Sequence, residues 1–165
     1  MDRVWTQETP IGVITVVVSD RGIRAIAFAG EAPDEAVGAV PERDAEIAGR
    51  LDDWFAGRTH ALDVDLDLSA VVGFRRTVLE TLRREVGWGE IVTYGELAEL
   101  AGRPGAARAV GTVMASNPIP FVIPCHRVVA AGGRIGGYGG TTTSTSDSLG
   151  IKRTLLAREG VRVRG

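Results

Sequence analysis

Residues 119–129 have the sequence IPFVIPCHRVV, which contains the only cysteine of the chain, Cys125. Prolines punctuate this apolar run, and each one fixes φ and removes a backbone donor, so we expect a rigid, extended approach to the thiol rather than a helix. His126 and Arg127 follow the cysteine directly. A thiol becomes a nucleophilic thiolate when a base or a positive charge lies close to it. We therefore predict a nucleophile at Cys125, although an isolated cysteine is more often a small buried hydrophobe.

The composition excludes several classes of protein. One cysteine allows no internal disulfide, which suits a reducing cytoplasm, and with only two histidines the chain has too few soft ligands for a structural zinc site. The N-terminal residues MDRVWTQETP lack the apolar segment of a signal peptide. The apolar run at residues 13–18 is too short to span a bilayer. These features predict a cytoplasmic protein without a metal or a membrane segment.

The charge is distributed unevenly along the chain. The net charge is −2 overall, but residues 1–100 hold 10 Arg and no Lys against 19 acidic residues, which gives −9. Residues 101–165 hold 8 Arg and one Lys against two acidic residues, which gives +7. A basic segment of this kind is typical of a face that binds a polyanion such as nucleic acid.

The first part of the chain has the pattern of a small sheet followed by a helix. Residues 3–7, 12–19 and 22–29 are predicted strands, because β-branched residues alternate with turn signals such as Asp20-Arg21-Gly22. Apolar residues at helical spacing predict an amphipathic helix over 42–55. We place the boundary of this N-terminal α/β lobe at residue 68 and predict a C-terminal lobe over 69–165.

The C-terminal lobe is predicted to be mostly helical. Helical spacing covers 71–85, and the sequence TYGE at 93–96 is a capping box that opens a helix running to residue 102. A glycine-containing turn and a helix over 106–115 complete a helix-turn-helix pattern. Together with the +7 charge of residues 101–165, this pattern predicts a winged-helix-like unit that binds DNA. The polar run 141–148 predicts a mobile loop before a last helix at 149–158. The fold class is therefore α+β, with a small antiparallel sheet.

Several segments, in order, resemble one family. IPCHRVV at 123–129 resembles the active-site motif of the O6-alkylguanine-DNA alkyltransferases, also called methylated-DNA–protein-cysteine methyltransferases. The other resembling segments are ETPIGVITVVVSDRGI (8–23), VTYGELAELAG (92–102), GAARAVGTVMASNPIP (105–120), GGYGG (136–140) and LLAREG (155–160). Together they cover most of the chain.

The resemblance implies a direct-reversal DNA repair protein that reacts once. Cys125 would take the alkyl group from guanine O6, and from O4-alkylthymine, and keep it permanently. His126 would deprotonate the thiol through water and Glu159 would orient His126, which agrees with the logic of Cys-His-carboxylate sites. Tyr94 would donate a proton or hydrogen bond to the departing guanine. Asn117 would act as a hinge that ties the two segments of the site together.

The resemblance also implies the DNA contacts. Arg108 would enter the duplex in place of the flipped nucleotide, and the helix would lie in the minor groove, where sequence is poorly distinguished. The other implied contacts with DNA are Thr93, Tyr94, Ala106 and Ala107, and the implied pocket residues are Met114, Val128, Tyr138 and Gly139. The expected partner is double-stranded DNA containing O6-alkylguanine, bound by a monomer without a cofactor. Clustering along DNA is left open.

Three alternatives remain at the level of sequence. A non-catalytic protein that binds alkylated DNA would lack the cysteine, so Cys125 argues against it. A winged-helix transcription factor with an incidental thiol would satisfy the charge pattern alone. A cysteine hydrolase would need an oxyanion hole, which no motif identifies. In the family, the last helix usually follows the glycine-rich turn after a few residues, and residues 141–150 lengthen this spacing. The longer spacing bears on the position of Glu159 and on the shape of the pocket rim. Gly139 also stands where relatives often have a side chain.

Overall fold

The computed structural model describes residues 1–136 and 145–165, with the backbone alone described at 145–147. The chain forms two compact units, residues 1–70 and 71–165. Within the described ranges, no helix has the length and apolar character needed to cross a membrane.

The first unit is built on a four-stranded sheet in the order β3-β2-β1-β4. The strands are β1 (Arg3–Thr9), β2 (Gly12–Ser19), β3 (Gly22–Ala27) and β4 (Val40–Pro41). The first three strands are antiparallel neighbours, as predicted, whereas β4 is a short parallel edge strand that was not predicted. Residues 14–18 of β2 are all buried, which is what its continuous apolar sequence requires of a central strand.

The turn between β2 and β3 shows why a glycine is needed at its end. Gly22 has φ of +143°, and a Cβ at this position would lie 2.3 Å from the carbonyl oxygen of Asp65. The backbone of Ile23 instead pairs with this segment, donating to the Asp65 oxygen at 2.9 Å. Glycine therefore allows two backbone segments to approach closely.

Helix α1 (Ala45–Phe55) contributes the apolar side chains of Leu51, Trp54 and Phe55 to the core of the first unit. The helix begins at Asp44, whose carboxylate accepts a hydrogen bond from the backbone N–H of Ile47 at 3.0 Å. An N-cap of this type satisfies one of the unpaired donors of the first turn. The predicted helix at 42–55 is thus confirmed, with a slightly later start.

Three helices begin the second unit: α2 (Gly73–Glu85), α3 (Tyr94–Leu100) and α4 (Ala107–Ala115). The predicted capping box is present, because the Thr93 hydroxyl accepts from the backbone of Glu96 at 3.1 Å and the Glu96 carboxylate accepts from the backbone of Thr93 at 2.9 Å. Helices α3 and α4 pack together across the turn at residues 101–106, which gives the predicted helix-turn-helix.

Two short strands, β5 (Val92–Thr93) and β6 (Val128–Val129), pair in parallel beside these helices. Two predictions for this region are wrong. The approach to the cysteine is not extended, because backbone hydrogen bonds fold residues 119–125 into turns, and Cys125–Arg127 then form one turn of 3₁₀ helix. The last helix, α5, spans Thr145–Arg158 and so begins inside the predicted loop. Residues 145–148 of the predicted loop therefore belong to α5, whereas residues 141–144 lie outside the described residues.

Candidate active site

A tight turn centred on Pro124 presents the thiol. Pro124 has φ of −79° and ψ of 62°, and the backbone N–H of Cys125 donates to the carbonyl oxygen of Ile123 at 2.7 Å. These values describe an inverse γ-turn, for which the fixed φ of proline is well suited. Phe121, three residues earlier, is buried with φ of +56°, a conformation that non-glycine residues seldom adopt. The approach to Cys125 is rigid because consecutive tight turns fix its backbone.

Asn117 fastens this turn to the end of α4. Its side chain is almost completely buried and donates to the carbonyl oxygen of Ile123 at 2.9 Å. The side-chain oxygen of Asn117, Oδ1, also accepts a hydrogen bond from the backbone N–H of Ile119 at 3.0 Å. The Ile123 oxygen therefore receives hydrogen bonds from both Asn117 and Cys125, which links the position of the thiol to the C-terminal end of α4.

His126 and Glu159 form a buried pair. Nε2 of His126 lies 2.5 Å from Oε2 of Glu159, and both side chains have 0% exposure. These two residues are 33 positions apart in sequence. Because the contact forms, the additional residues at 141–150 do not move Glu159 away from His126. Nδ1 of His126 is buried and has no hydrogen-bond partner within the described part of the chain.

Arg127 completes the set of donors around Glu159. Its Nε and Nη2 donate to the two carboxylate oxygens at 2.8 and 3.2 Å, its Nη1 donates to the carbonyl oxygen of Val86 at 2.9 Å, and the backbone N–H of Gly89 donates to Oε1 at 2.9 Å. Burial alone would raise the pKa of Glu159, but the hydrogen bonds from His126 and Arg127 outweigh it and lower this pKa to about 2. Glu159 is therefore ionised at neutral pH.

Burial and the neighbouring charges together set the protonation state of His126. Burial lowers the pKa of His126, the Glu159 carboxylate opposes this effect, and the charges of Arg127 and Lys152 reinforce it. A neutral imidazole beside an ionised carboxylate carries its proton on Nε2 and leaves Nδ1 as an acceptor. The site can therefore accept a proton at Nδ1, and Glu159 would stabilise the imidazolium formed.

Tyr94 is half-buried at the first position of α3. Burial raises its pKa, and negative charge on Cys125 raises it further, so the phenol stays protonated at neutral pH. Gly136 lies close to this ring, because a Cβ on Gly136 would be 3.2 Å from the Tyr94 hydroxyl oxygen.

The residues predicted to contact DNA are distributed along the helix-turn-helix. Arg108 is exposed near the start of α4, Ala106 and Ala107 are partly exposed beside it, and Thr93 is the N-cap of α3. Of the predicted pocket residues, Met114 and Val128 are buried, whereas Tyr138 and Gly139 lie outside the described residues.

Three contributions to this site were missed from the sequence. Arg127 was considered as a positive neighbour of the thiol, but its guanidinium holds Glu159. Lys152 is buried and was not considered, although it is the only lysine beside 18 arginines and this contrast was visible in the sequence. Arg75 of α2 donates to the carbonyl oxygen of Ser116, the C-cap of α4, at 2.6 Å, and no sequence pattern indicated this contact.

No group of three or more His, Cys, Asp or Glu side chains within residues 1–136 and 145–165 is arranged to hold a metal ion. The functional groups described at this site are a thiol, an imidazole–carboxylate pair, a phenol and a buried amine.

Comparisons with known proteins show which family this chain resembles. Residues 73–161 match the family model described as 6-O-methylguanine DNA methyltransferase, DNA binding domain. The methylated-DNA–protein-cysteine methyltransferase of Mycolicibacterium paratuberculosis is 37% identical over 93% of this chain and 90% of its own length, and that of Methanosarcina acetivorans is 36% identical over 93% and 95%.

Solved structures show the same similarity along most of the chain. The crystal structure of Mycobacterium tuberculosis OGT in complex with DNA has a TM-score of 0.82 at 32% identity and covers 96% of this chain and 93% of that one. The O6-methylguanine-DNA methyltransferase of Pyrococcus kodakaraensis has a TM-score of 0.69 at 28% identity, covering 98% and 100%. The chain belongs to the methylated-DNA–protein-cysteine methyltransferase family.

Proposed function

We propose that this protein repairs O6-alkylguanine in DNA by transferring the alkyl group irreversibly to Cys125, with O4-alkylthymine as a second substrate. The observation that carries the proposal is the buried His126–Glu159 pair beside a rigidly held cysteine in a helix-turn-helix unit. We assign both DNA binding and alkyl acceptance to the second unit, residues 71–165. The names of the related proteins support the same chemistry.

The reaction begins with loss of the thiol proton. In our proposal, a water molecule carries the proton from Cys125 to Nδ1 of His126, and the imidazolium is stabilised by the ionised Glu159. The role of Arg127 is to keep Glu159 ionised and in place, because its guanidinium donates to both carboxylate oxygens. A bidentate charge-assisted contact of this kind also fixes the orientation of the carboxylate.

The alkyl transfer is a displacement at carbon. A sulfur lone pair forms the S–C bond as the bond between the alkyl carbon and guanine O6 breaks, and the electron pair of that bond passes to the guanine. The Tyr94 phenol, which remains protonated because its pKa is raised, donates a proton to the departing base. The imidazolium of His126 then loses its proton to water and the phenolate takes one up from water, so the thiol proton is in effect passed to the guanine and both residues return to their initial state. The thioether is stable, so each protein molecule reacts once, as a monomer and without a cofactor.

DNA would be bound through α4, with the exposed Arg108 filling the space left by the flipped nucleotide. Thr93, Tyr94, Ala106 and Ala107 would lie along the same surface, and Met114, Val128, Tyr138 and Gly139 would line the pocket for the extruded base. Minor-groove binding suits a general repair protein because this groove distinguishes sequence poorly. We propose a cytoplasmic site of action, since a thiol that reacts once requires a reducing compartment.

The test uses a duplex containing one O6-methylguanine and the intact mass of the protein. We expect one methyl group per chain in the wild type and none in Cys125→Ser. Unchanged mass with the DNA still bound would instead show the alternative function, a non-catalytic lesion-binding protein.

The role of Arg108 is tested separately with two substrates. Flipping a nucleotide requires a few kcal/mol, so we expect Arg108→Ala to slow repair of duplex DNA on the order of 10-fold or more. Reaction with free O6-benzylguanine, which needs no flipping, should change little. Equal slowing with both substrates would show that Arg108 does not assist extrusion.

A further inference from the structure

A parallel β-bridge pairs Arg134 with Arg164, which lies 30 residues later in the chain. The backbone N–H of Arg164 donates to the carbonyl oxygen of Gly133 at 3.0 Å, and its carbonyl oxygen accepts from the N–H of Ile135 at 2.7 Å. On the other side, the carbonyl oxygen of Arg134 accepts from the N–H of Ala130 at 2.9 Å. The backbones of both arginines are therefore held by hydrogen bonds.

Packing around Ile135 anchors the bridge. The Ile135 side chain is buried, and Gly165 approaches it so closely that a Cβ on Gly165 would lie 2.8 Å from Cγ2 of Ile135. The guanidinium of Arg153, on α5, donates to the carbonyl oxygen of Gly165 at 2.8 Å. One segment of the bridge is thus fixed by a buried side chain and the other by the last helix.

The bridge brings like charges together at the surface. Arg134 and Arg164 are both exposed, and the partners in a β-bridge lie side by side. The two joined segments, 130–136 and 160–165, contain three arginines and no acidic residue. None of these arginines forms an ion pair with a described side chain. Like charges opposite each other on paired strands are destabilising, so the arrangement indicates a site that an anion completes.

The position of the bridge identifies the anion. Gly136 follows the bridge directly, and a Cβ on Gly136 would lie 3.2 Å from the hydroxyl oxygen of Tyr94. In the proposed reaction Tyr94 contacts the departing guanine, so the extruded nucleotide is bound next to the bridge. A flipped nucleotide remains joined to its strand, and its flanking phosphates therefore approach the site with it. A guanidinium suits this partner because its donors match two phosphate oxygens at once.

We propose that Arg134 and Arg164 form a phosphate-binding pair, outside the helix-turn-helix, that holds the DNA strand carrying the flipped nucleotide. This inference rests on the proposed function for the position of the guanine. The pair adds a second contact with DNA to the contact assigned to α4. Because phosphates carry no sequence information, the pair contributes affinity and orientation and leaves repair independent of sequence.

The repulsion between the two arginines predicts how the free protein behaves. Removal of one charge relieves this repulsion, so at low salt and without DNA the thermal midpoint of Arg134→Gln should equal or exceed that of the wild type. An arginine that supports the fold would give the opposite result, because its replacement removes a stabilising contact. A lowered midpoint would therefore contradict the proposal.

The salt dependence of DNA binding tests the contact itself. Binding of a duplex containing O6-methylguanine is measured in the Cys125→Ser background, in which no transfer to sulfur can occur. Loss of one phosphate contact makes the slope of log K against log[salt] shallower by about 0.9, which is about 3.5-fold in affinity between about 50 and 200 mM salt. We expect this change in Arg134→Gln and in Arg164→Gln, whereas Arg134→Lys, which keeps the charge, should retain the slope. An unchanged slope when both arginines are replaced by glutamine would overturn the proposal.

Arg21→Gln is the matched control. Arg21 is also exposed, but it lies in the first unit, where residues 1–70 hold 6 arginines against 14 acidic residues. Its replacement changes the net charge of the protein by the same amount, and the salt slope should stay that of the background protein. An equal change of slope in this control would show that net charge, and not a contact at the bridge, causes the effect.

Neutral methylphosphonates locate the contact on the DNA. Each phosphate around the lesion is replaced in turn, and at the contacted position the loss of affinity should be larger with both arginines present than with both replaced by glutamine. Equal losses in the two proteins at every position would refute a direct contact. None of these measurements depends on alkyl transfer. They can fail while the protein gains a methyl group from DNA, or succeed where it gains none, which separates this inference from the proposed function.

Discussion

Replacing Glu159 by glutamine tests the charge balance of the site. The carboxylate is fully buried and receives four hydrogen bonds, from His126, from two nitrogen atoms of Arg127 and from the backbone of Gly89. Glutamine has nearly the same size and shape but no charge. The variant therefore leaves the guanidinium of Arg127 buried without its counter-charge while changing the packing little.

The expected magnitude follows from the pKa of Glu159. It is lowered from 4.5 to about 2, and at 1.36 kcal/mol per unit this difference corresponds to about 3 kcal/mol of stability from the ionised form. Removal of one partner from a buried ion pair destabilises proteins by about 3–5 kcal/mol. We expect Glu159→Gln to lower the free energy of unfolding at neutral pH by about 3 kcal/mol.

The pH dependence makes the prediction specific. A carboxylate with a lowered folded pKa stabilises the protein above its unfolded pKa of 4.5, and this stabilisation is lost as the pH falls towards 2. The difference between wild type and Glu159→Gln in urea unfolding should therefore be constant above about pH 5 and shrink below it. A difference of the same size throughout this range would refute the charge argument.

A matched control is available on α2. Glu80 pairs with Arg76 at 2.5 Å, but its side chain is 47% exposed. Exposed ion pairs contribute little, so Glu80→Gln should change the free energy of unfolding by less than about 1 kcal/mol. A large effect of this control would show that the loss in Glu159→Gln does not depend on burial.

Three further variants test the positions of individual groups. Gly136→Ala should slow single-turnover alkyl transfer, because Gly136 has φ of +68° and the new Cβ would lie 3.2 Å from the Tyr94 hydroxyl oxygen. An unchanged rate would show that the close approach of Gly136 to Tyr94 is unimportant for the reaction. Asn117→Ala should lower the free energy of unfolding measured in urea by about 1–3 kcal/mol, because it removes two buried hydrogen bonds and leaves the backbone N–H of Ile119 without its acceptor. Arg75→Gln should lower the thermal midpoint by loosening Ser116 at the end of α4, and a midpoint equal to that of wild type would contradict this role.

Local sequence patterns were sufficient to predict most of the secondary structure. The first three strands follow from β-branched runs separated by turn residues, and α3 follows from the capping box Thr93–Glu96. These features depend on neighbouring residues, whose conformational preferences are known from peptides and other proteins. The start of α5 at Thr145 was missed because a polar run of Ser and Thr suits both a loop and the first turn of a helix.

The geometry around Cys125 depends on contacts between distant parts of the chain. The Cys125–Arg127 turn is held by Asn117 and by Glu159, which lies 32 residues beyond Arg127, and local preference predicts neither contact. The pairing of His126 with Glu159 was predicted only by analogy with Cys-His-carboxylate sites and from a family resemblance. The sequence gave no reason for the guanidinium of Arg127 to turn towards Glu159, because adjacency in sequence does not determine side-chain direction.

The central claim is that Cys125 is consumed in the reaction, and a stoichiometric titration tests it most directly. Increasing amounts of duplex containing O6-methylguanine are incubated with a fixed amount of protein, and the restored guanine is counted. We expect a plateau at one guanine per protein molecule, with the methyl group recovered on the peptide that contains residues 119–129. Continued repair beyond one equivalent, or a methyl group on another residue, would contradict irreversible transfer to Cys125.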